Sequence, residues 1–178
     1  MIRQSNYRKS LVRALMELIP SAQNATDAVD EAAACQLRVN RTDLRCLGAV
    51  LHSQGISAGK LAQEVGLTRG AMTTALDRLE RTSHVRRTED PKDGRGVRVD
   101  ATAAAARAVQ QIWGPIEVEA LKLLEKYSDS ELEAIRRFFD EYCRFQRLHA
   151  ERIRGLSKQR HRNGTRAPGE RRRERRRR

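Results

Sequence analysis

Apolar residues recur at helical spacing along much of this chain, most clearly between residues 69 and 81. Met72, Ala75, Leu76 and Leu79 stand at positions i, i+3, i+4 and i+7, so they fall on one face of an α-helix. The opposite face is small and polar in its first turns. The pattern predicts a helix with a buried apolar face and a polar face that is open to solvent or to a partner.

A shorter helix is predicted just before it, over residues 57–65, with Leu61 and Val65 on its buried face. Gly66 permits the left-handed conformation that a tight turn between two helices needs. Thr68 is expected to cap the next helix, because its hydroxyl can accept a hydrogen bond from a free N–H of the first turn. Together these features predict a helix-turn-helix.

Two short strands around a polar turn are predicted over residues 85–99. The first strand begins with Val85-Arg86-Arg87, and the turn contains Pro91 and Gly94. A basic hairpin beside a helix-turn-helix is typical of a winged helix-turn-helix, in which one helix lies in a DNA groove and the hairpin reaches the backbone or the minor groove. The sequence therefore predicts a domain that binds double-stranded DNA.

Further helices are predicted on both sides of this domain. The N-terminal helix is expected to break or kink at Pro20, and the Ala-rich helix after Thr102 is expected to be interrupted at Gly114-Pro115. Ser128-Asp129-Ser130-Glu131 is a capping box and predicts the start of the last helix. The predicted fold is mainly α with a small β-hairpin. The predicted parts are N-terminal helices (1–40), the winged helix-turn-helix domain (41–101), C-terminal helices (102–155) and a disordered Arg-rich tail (156–178).

The last helix carries an unusually heavy apolar stripe in a chain that has few aromatic residues. Packing against its own domain is one explanation. We favour a subunit interface, because a compact winged domain has no groove left for so much apolar surface. The N-terminal and C-terminal helices are therefore expected to form a homodimer. The stripe consists of Leu132, Ile135, Phe138, Phe139, Tyr142, Phe145 and His149.

The net charge of +13 suggests nucleic-acid binding, but most of it lies in the tail. Residues 151–178 contain 13 basic and 3 acidic residues, whereas residues 1–150 have a net charge of only +3. The tail either attracts phosphates without sequence preference or is a solvated extension, and both interpretations stay open. If the tail dominates, the alternative function is that of an architectural protein that binds DNA non-specifically.

Several other classes of protein are not supported by the sequence. No apolar run approaches the roughly 20 residues that span a bilayer, and the N-terminus lacks the apolar core of a signal peptide, so a cytoplasmic protein without membrane contact is expected. Cys35, Cys46 and Cys143 have no paired spacing, so neither disulfides nor a structural metal site is expected. There is no phosphate loop and no nucleophile motif, so we expect neither an enzyme nor a cofactor.

An ordered series of motifs resembles the MarR family of bacterial transcription regulators over roughly residues 5–153. This resemblance implies a homodimer in which the first and the last two helices are intertwined. It also implies a transcription regulator, often a repressor, that binds a pseudo-palindromic operator and is often released from it by a small phenolic or other aromatic ligand. The matching motifs are Thr42-Asp43-Leu44-Arg45 with Leu47, the stretch from Leu61 to Gly70, Asp77-Arg78-Leu79-Glu80, Val85-Arg86-Arg87, Asp93-Gly94-Arg95, Val99 with Thr102, and the stretch from Ser128 to Leu132.

Two positions depart from the family pattern. Ser83-His84 stands where the family usually has Gly-Leu, so residue 83 either adopts a strained left-handed conformation or the helix ends differently. In the wing, Gly94 replaces the first of two common arginines, whereas Arg95 keeps the second. The angle of the wing is therefore not fixed by the resemblance.

The candidate DNA-binding residues lie in the second helix of the motif and in the wing. Arg95 is the strongest, because its planar charged fork suits a narrow minor groove, and Asp93 would hold it in position. Asp77 is expected to pair with Arg87 or Arg78 rather than to touch DNA. The full set is Thr68, Arg69, Gly70, Thr73, Thr74, Arg78, Arg86, Arg87, Asp93 and Arg95.

An effector pocket, if present, is expected between the dimer helices and the winged domain. Each candidate residue has an ordinary alternative role in the core or on the surface. Nothing in the sequence indicates a redox-active thiol. The candidates are Tyr7, Arg13, Met16, Cys46, His52 and Trp113.

Overall fold

A computed structural model describes residues 2–53, 55–90 and 93–164, and within them the side chains of residues 6–53, 55–89 and 97–156. The fold is mainly helical with a small antiparallel sheet, as predicted. Its elements are α1 (Ile2–Leu37), α2 (Arg41–Ser53), β1 (Ile56–Ser57), α3 (Ala58–Val65), α4 (Arg69–Arg81), β2 (Val85–Asp90), β3 (Asp93–Ala101), α5 (Ala103–Leu124) and α6 (Asp129–Gly164).

The chain divides into two compact units, Met1–Val118 and Glu119–Arg178. The core of the first unit lies where the three short helices α2, α3 and α4 pack beside the sheet. The four residues of the predicted apolar face of α4 are all buried there, as are the predicted positions of α3. The largest fully buried side chains are Leu47, Leu61, Met72, Leu76, Leu79, Val50, Val85, Val99 and Cys46.

The sheet has three strands rather than the predicted two. Their order is β1-β3-β2, and both pairings are antiparallel. Strand β1 is only two residues long, and its Ile56 lies opposite Val99 of β3. A strand of two residues shows no alternation, so the sequence pattern could not reveal it.

The turn between α3 and α4 has the predicted geometry. Gly66 is left-handed at φ 74°, and its N–H donates to the carbonyl of Gln63 at 3.3 Å. The Leu67 N–H donates to the Ala62 carbonyl at 2.9 Å, which completes a Schellman motif. Thr68 caps α4, since its Oγ1 accepts from the Ala71 N–H at 3.2 Å. This turn fixes the angle at which α4 leaves the core.

The C-terminal end of α4 shows which of the two predicted outcomes at Ser83 is correct. Ser83 is left-handed at φ 58°, and the N–H groups of Ser83 and His84 donate to the carbonyls of Glu80 and Leu79 at 2.9 and 2.8 Å. This is again a Schellman motif, now with serine in the position that glycine usually occupies. Thr102 fastens it, because its hydroxyl donates to the Ser83 carbonyl at 2.8 Å.

The predicted interruption at Gly114-Pro115 is wrong, and so is the break that was one of the two outcomes predicted at Pro20. Pro20 lies inside α1 and Pro115 lies inside α5, and both helices are continuous. A proline removes one hydrogen bond to the carbonyl four residues earlier, but both prolines are exposed, so that carbonyl remains open to water. Long flanking helical runs then hold the chain in one helix.

The last helix begins as predicted and extends further than predicted. Glu131 accepts hydrogen bonds from the N–H and the hydroxyl of Ser128 at 2.8 and 2.6 Å, and these bonds lower the pKa of Glu131. Residues 156–164, expected in the disordered tail, are helical. Ile153 and Leu156 continue the apolar spacing of the stripe, which favours continuation of the helix. The rest of the tail, residues 165–178, lies outside the described residues.

Among the described residues, no helix is long and apolar enough to cross a membrane.

Candidate nucleic-acid interface and effector cavity

Five of the predicted DNA-binding residues lie together on the exposed side of the first turns of α4. The hydroxyl of Thr73 donates to the Arg69 carbonyl at 3.1 Å, and that of Thr74 donates to the Gly70 carbonyl at 3.1 Å. Both hydroxyl protons are therefore used within the helix, and the oxygen lone pairs face outward as acceptors. The surface offers acceptors and one cation to a partner. Its members are Thr68, Arg69, Gly70, Thr73 and Thr74.

Among the described residues, none packs so closely against Gly70 that glycine is required there. A Cβ built on it meets no atom within 4 Å, other than its chain neighbours and the backbone of its own helix. Glycine inside a helix costs about 0.5–1 kcal/mol relative to alanine. The residue therefore leaves the backbone of α4 open to close approach from outside.

Arg78 occupies a different environment from these five residues. Its guanidinium donates to both carboxylate oxygens of Asp43, which is buried in α2. The amide of Asn40 donates to the same carboxylate at 2.9 Å, while the side-chain oxygen of Asn40 accepts from the Asp43 N–H. The hydrogen bond and charge of Asp43 raise the pKa of Arg78. Arg78 thereby ties α4 to α2, a role that sequence reasoning missed.

Arg87 ties the wing to α4. Its guanidinium lies 2.7 Å from the Asp77 carboxylate and 3.0 Å from that of Glu80, and its backbone N–H donates to Glu80 at 3.1 Å. The predicted pairing of Asp77 with Arg87 is present. Sequence reasoning missed Glu80, the second acidic partner of Arg87, because this contact forms only where β2 passes beside the last turn of α4.

Arg86 points to the other face of the sheet, since neighbouring residues of a strand alternate. It lies opposite Asp100 in the register of β2 and β3, and it is exposed. Among the described residues it makes no ion pair. Asp93 and Arg95 belong to β3, but their side chains lie outside the described residues.

A cavity of about 600 Å³ lies within the first unit, beside α1, α2 and α5. His52 and Trp113, two of the six effector candidates, line it together with Asp30 and Gln110. Leucines of α2 complete much of its apolar wall. The cavity is large enough for a drug-sized molecule.

The other four effector candidates lie elsewhere. Tyr7, Arg13 and Met16 are exposed on α1, and Arg13 pairs with Glu17 one turn later. Cys46 is fully buried in the core, away from the cavity lining. Burial, with a smaller effect of the Asp43 charge, raises the pKa of its thiol to about 11. Its position on α2, away from the leucine stripe, directs it into the packing between the helices.

Residues 39–96 match the model of the MarR family, and this segment holds α2, α3, α4, β2 and the start of β3. Over these residues the chain is similar to the MarR family. The helix with the open polar start, the capped turn before it and the first part of the wing lie in this segment. The matched segment is thus of the kind found in MarR-type transcription regulators.

Similar proteins extend the likeness beyond that segment. The uncharacterized HTH-type transcriptional regulator YcgE of Bacillus subtilis (strain 168) is 28% identical over 148 residues, or 83% of this chain and 96% of YcgE. The crystal structure of the MarR family transcription regulator SP03579 covers 83% of this chain and 97% of its own, with a TM-score of 0.63 and 20% identity. A mutant of S. aureus MepR, bound to an oligodeoxyribonucleotide, covers 72% of this chain and 95% of its own, with a TM-score of 0.52 and 18% identity.

Proposed function

We propose that this protein is a MarR-type regulator, a homodimeric repressor that binds a pseudo-palindromic operator in double-stranded DNA. The observation that carries the proposal is the open polar start of α4. One face of α4 is exposed, and the opposite face is buried in the core. The exposed face includes Thr68, Arg69, Gly70, Thr73 and Thr74. A helix presented in this way enters the major groove with its N-terminal residues against the base edges. The related fold of MepR is known with a bound oligodeoxyribonucleotide.

Within this interface the residues have different roles. The outward lone pairs of Thr73 and Thr74 suit the amino groups of adenine or cytosine, and Arg69 suits guanine or a phosphate. Arg95 is proposed for the minor groove, with Asp93 orienting it. Arg78 and Arg87 are proposed to hold α4 and the wing in position rather than to contact bases, because carboxylates already occupy their guanidinium groups. Arg86 is proposed as a phosphate contact.

The exposed apolar surface of α1 and α6 supports the dimer. Tyr7 of α1 and Phe139, Phe145 and Leu148 of α6 are each more than half exposed in the single chain. Isolated apolar residues on a surface need no explanation, but rows of them along long helices indicate a protein interface. A two-fold dimer presents two copies of α4, which would read half-sites about 10 base pairs apart.

The cavity beside α2 and α5 supports control by a small aromatic molecule. It has an apolar wall, a tryptophan and a few polar groups, the usual composition of a ligand site. The small molecule would release the protein from the operator if the ligand-bound protein holds α4 in a position that no longer fits the operator.

Selection of bound sequences from random DNA tests the proposal. A palindrome with half-sites about one helical turn apart is expected. Failure to enrich any motif would contradict it.

Removing residues 165–178 distinguishes the proposed function from the architectural alternative. A sequence-specific dimer should still select the same DNA motif, with a weaker dependence of affinity on salt. An architectural protein that binds DNA through its tail should lose nearly all binding. A reporter gene behind the selected operator then tests repression.

A further inference from the structure

We propose that the cavity beside α1, α2 and α5 binds a cationic aromatic molecule, with Asp30 as the charge partner and Trp113 as the aromatic contact. The inference rests on the proposed effector function and adds the charge of the effector. It departs from the phenolic effector that the family resemblance implies, and the reason lies in the lining of this cavity.

The charge balance at the cavity is negative. Asp30 is the one acidic residue among the described lining residues, and none of them is lysine or arginine. The guanidinium of Arg41 lies 3.4 Å from the Asp30 carboxylate but 2.5 Å from that of Asp27. The negative charge of Glu31 also acts on Arg41. One cation is therefore shared among three carboxylates, those of Asp27, Asp30 and Glu31. An anionic ligand would meet a carboxylate whose charge is only partly compensated, whereas a cation would be attracted.

The walls suit a planar apolar body. Leu44, Leu47 and Leu51 come from α2, and Trp113 comes from α5. An indole ring attracts a cation over its face and stacks with an aromatic ring at an offset. His52 and Gln110 add hydrogen-bonding groups at the polar side of the cavity. A molecule with an aromatic ring and an ammonium group can pack against the leucines, stack on the indole and form an ion pair with the carboxylate at the same time.

The single tryptophan of the chain makes the site directly observable. Trp113 is the only Trp, so its fluorescence reports on this cavity alone. Three probes of the same shape are titrated into the full-length protein without DNA: 4-tert-butylbenzylammonium, 4-tert-butylbenzyl alcohol and 4-tert-butylbenzoate. We expect the cation to bind at least about tenfold more tightly than the carboxylate, with the alcohol between them. Calorimetry of the same titrations provides a second measurement.

The matched variants are Asp30→Asn and Asp27→Asn. Both remove one carboxylate near Arg41, but only Asp30 lines the cavity. Asp30→Asn is expected to remove most of the preference for the cation. Asp27→Asn keeps the Asp30 carboxylate but leaves it a larger share of Arg41, so it is expected to lower the preference by less than Asp30→Asn does. Both side chains are partly exposed, so neither change should prevent folding.

Three results would overturn the proposal: no binding of the cation, tighter binding of the carboxylate, or an unchanged preference in Asp30→Asn. These outcomes are independent of the operator, because the titrations contain no DNA. A protein that selects a palindrome but binds no cation would refute the charge of the effector and leave the DNA-binding proposal standing. A protein that binds the cation but selects no operator would do the reverse.

Discussion

The carboxylate of Asp43 accepts two hydrogen bonds from the guanidinium of Arg78, one from Nε at 2.8 Å and one from Nη2 at 2.6 Å. The two residues are 35 positions apart, in α2 and α4. Both helices bury one side in the core, and α4 carries the candidate DNA surface on its other side. Asp43 is only 3% exposed, whereas Arg78 keeps a third of its side chain in solvent. The pair therefore fixes α4 from a buried anchor in α2.

Breaking this pair is expected to destabilise the protein. Asp43→Asn keeps the shape but loses the charge-assisted bonds, which we expect to cost about 2 kcal/mol of unfolding free energy. Arg78→Ala should cost more, because it leaves a buried carboxylate without its cation. Denaturant unfolding at one fixed protein concentration measures both changes.

Arg81→Ala is the control for Arg78→Ala. Arg81 lies in the last turn of the same helix, is exposed, and makes no ion pair among the described residues. Its replacement should change the unfolding free energy by less than about 0.5 kcal/mol. Equal effects of the two arginine substitutions would show that the Asp43 pair does not stabilise the fold.

Ser83→Gly is expected to stabilise the protein. A left-handed serine costs about 1–2 kcal/mol, and glycine recovers this at an entropic cost of about 0.5–1 kcal/mol in the unfolded chain. A net gain of about 0.5–1 kcal/mol should appear as a higher melting temperature. Arg38→Gly, at the other non-glycine position with positive φ among the described residues, should raise the melting temperature as well. Lower stability in Ser83→Gly would mean that the serine side chain contributes more than the backbone strain costs.

Local signals explain which parts of the fold the sequence could predict. The bounds of α4, the left-handed Gly66 and the cap at Thr68 depend on neighbouring residues, and all three are confirmed. Strand β1 depends on a partner more than 40 residues away, and Asp43–Arg78 on the packing of two helices, so neither leaves a local pattern. Pro20 and Pro115 carry a strong local signal that the surrounding helices override.

The same distinction applies to the candidate site. The exposed face of α4 follows from helical periodicity and was predictable. Of the effector candidates, only His52 of α2 and Trp113 of α5 line the cavity, and Asp30, from α1, was not among the candidates. Residues from three separate helices meet there, which no single stretch of sequence reveals.

Cys46 predicts a loss of stability in alkali. Burial raises the pKa of its thiol from 9.0 to about 11, so the folded state holds the proton more tightly than the unfolded state. This contribution is fully present below pH 9 and is lost as the pH rises through about 11. The unfolding free energy of the native protein should therefore fall more steeply over that range than that of Cys46→Ala. Parallel curves for the two proteins would contradict the raised pKa.

The reactivity of the same thiol provides an independent check. In a protein with both Cys35→Ala and Cys143→Ala, only the buried Cys46 remains. Because the thiolate is the reactive form, we expect no alkylation of the native protein at pH 8 and complete alkylation in denaturant. Rapid labelling of the native protein would show that Cys46 is accessible.

Arg95→Ala is expected to weaken operator binding by about 1–3 kcal/mol. If Arg95 neutralises a phosphate, the slope of log affinity against log salt concentration should also become shallower by about one. Gel-shift titration at a series of fixed salt concentrations measures both. Arg107→Ala, an exposed arginine of α5 outside the proposed interface, is the control. Unchanged affinity in Arg95→Ala would remove this residue from the interface.

Gly70→Ala should separate the stability of α4 from its function. Gly70 and Gly59 are each the second residue of their helices, α4 and α3, and a Cβ on either meets open space. Both alanine variants should therefore gain about 0.5–1 kcal/mol of stability. If the backbone of α4 approaches DNA closely, only Gly70→Ala should lose operator affinity, because its methyl group would occupy the space that the DNA needs. Thermal unfolding and gel-shift titration of the two variants, side by side, test this. A Gly70→Ala protein that is more stable and binds the operator as tightly as the native protein would show that the DNA does not come close to α4 at Gly70.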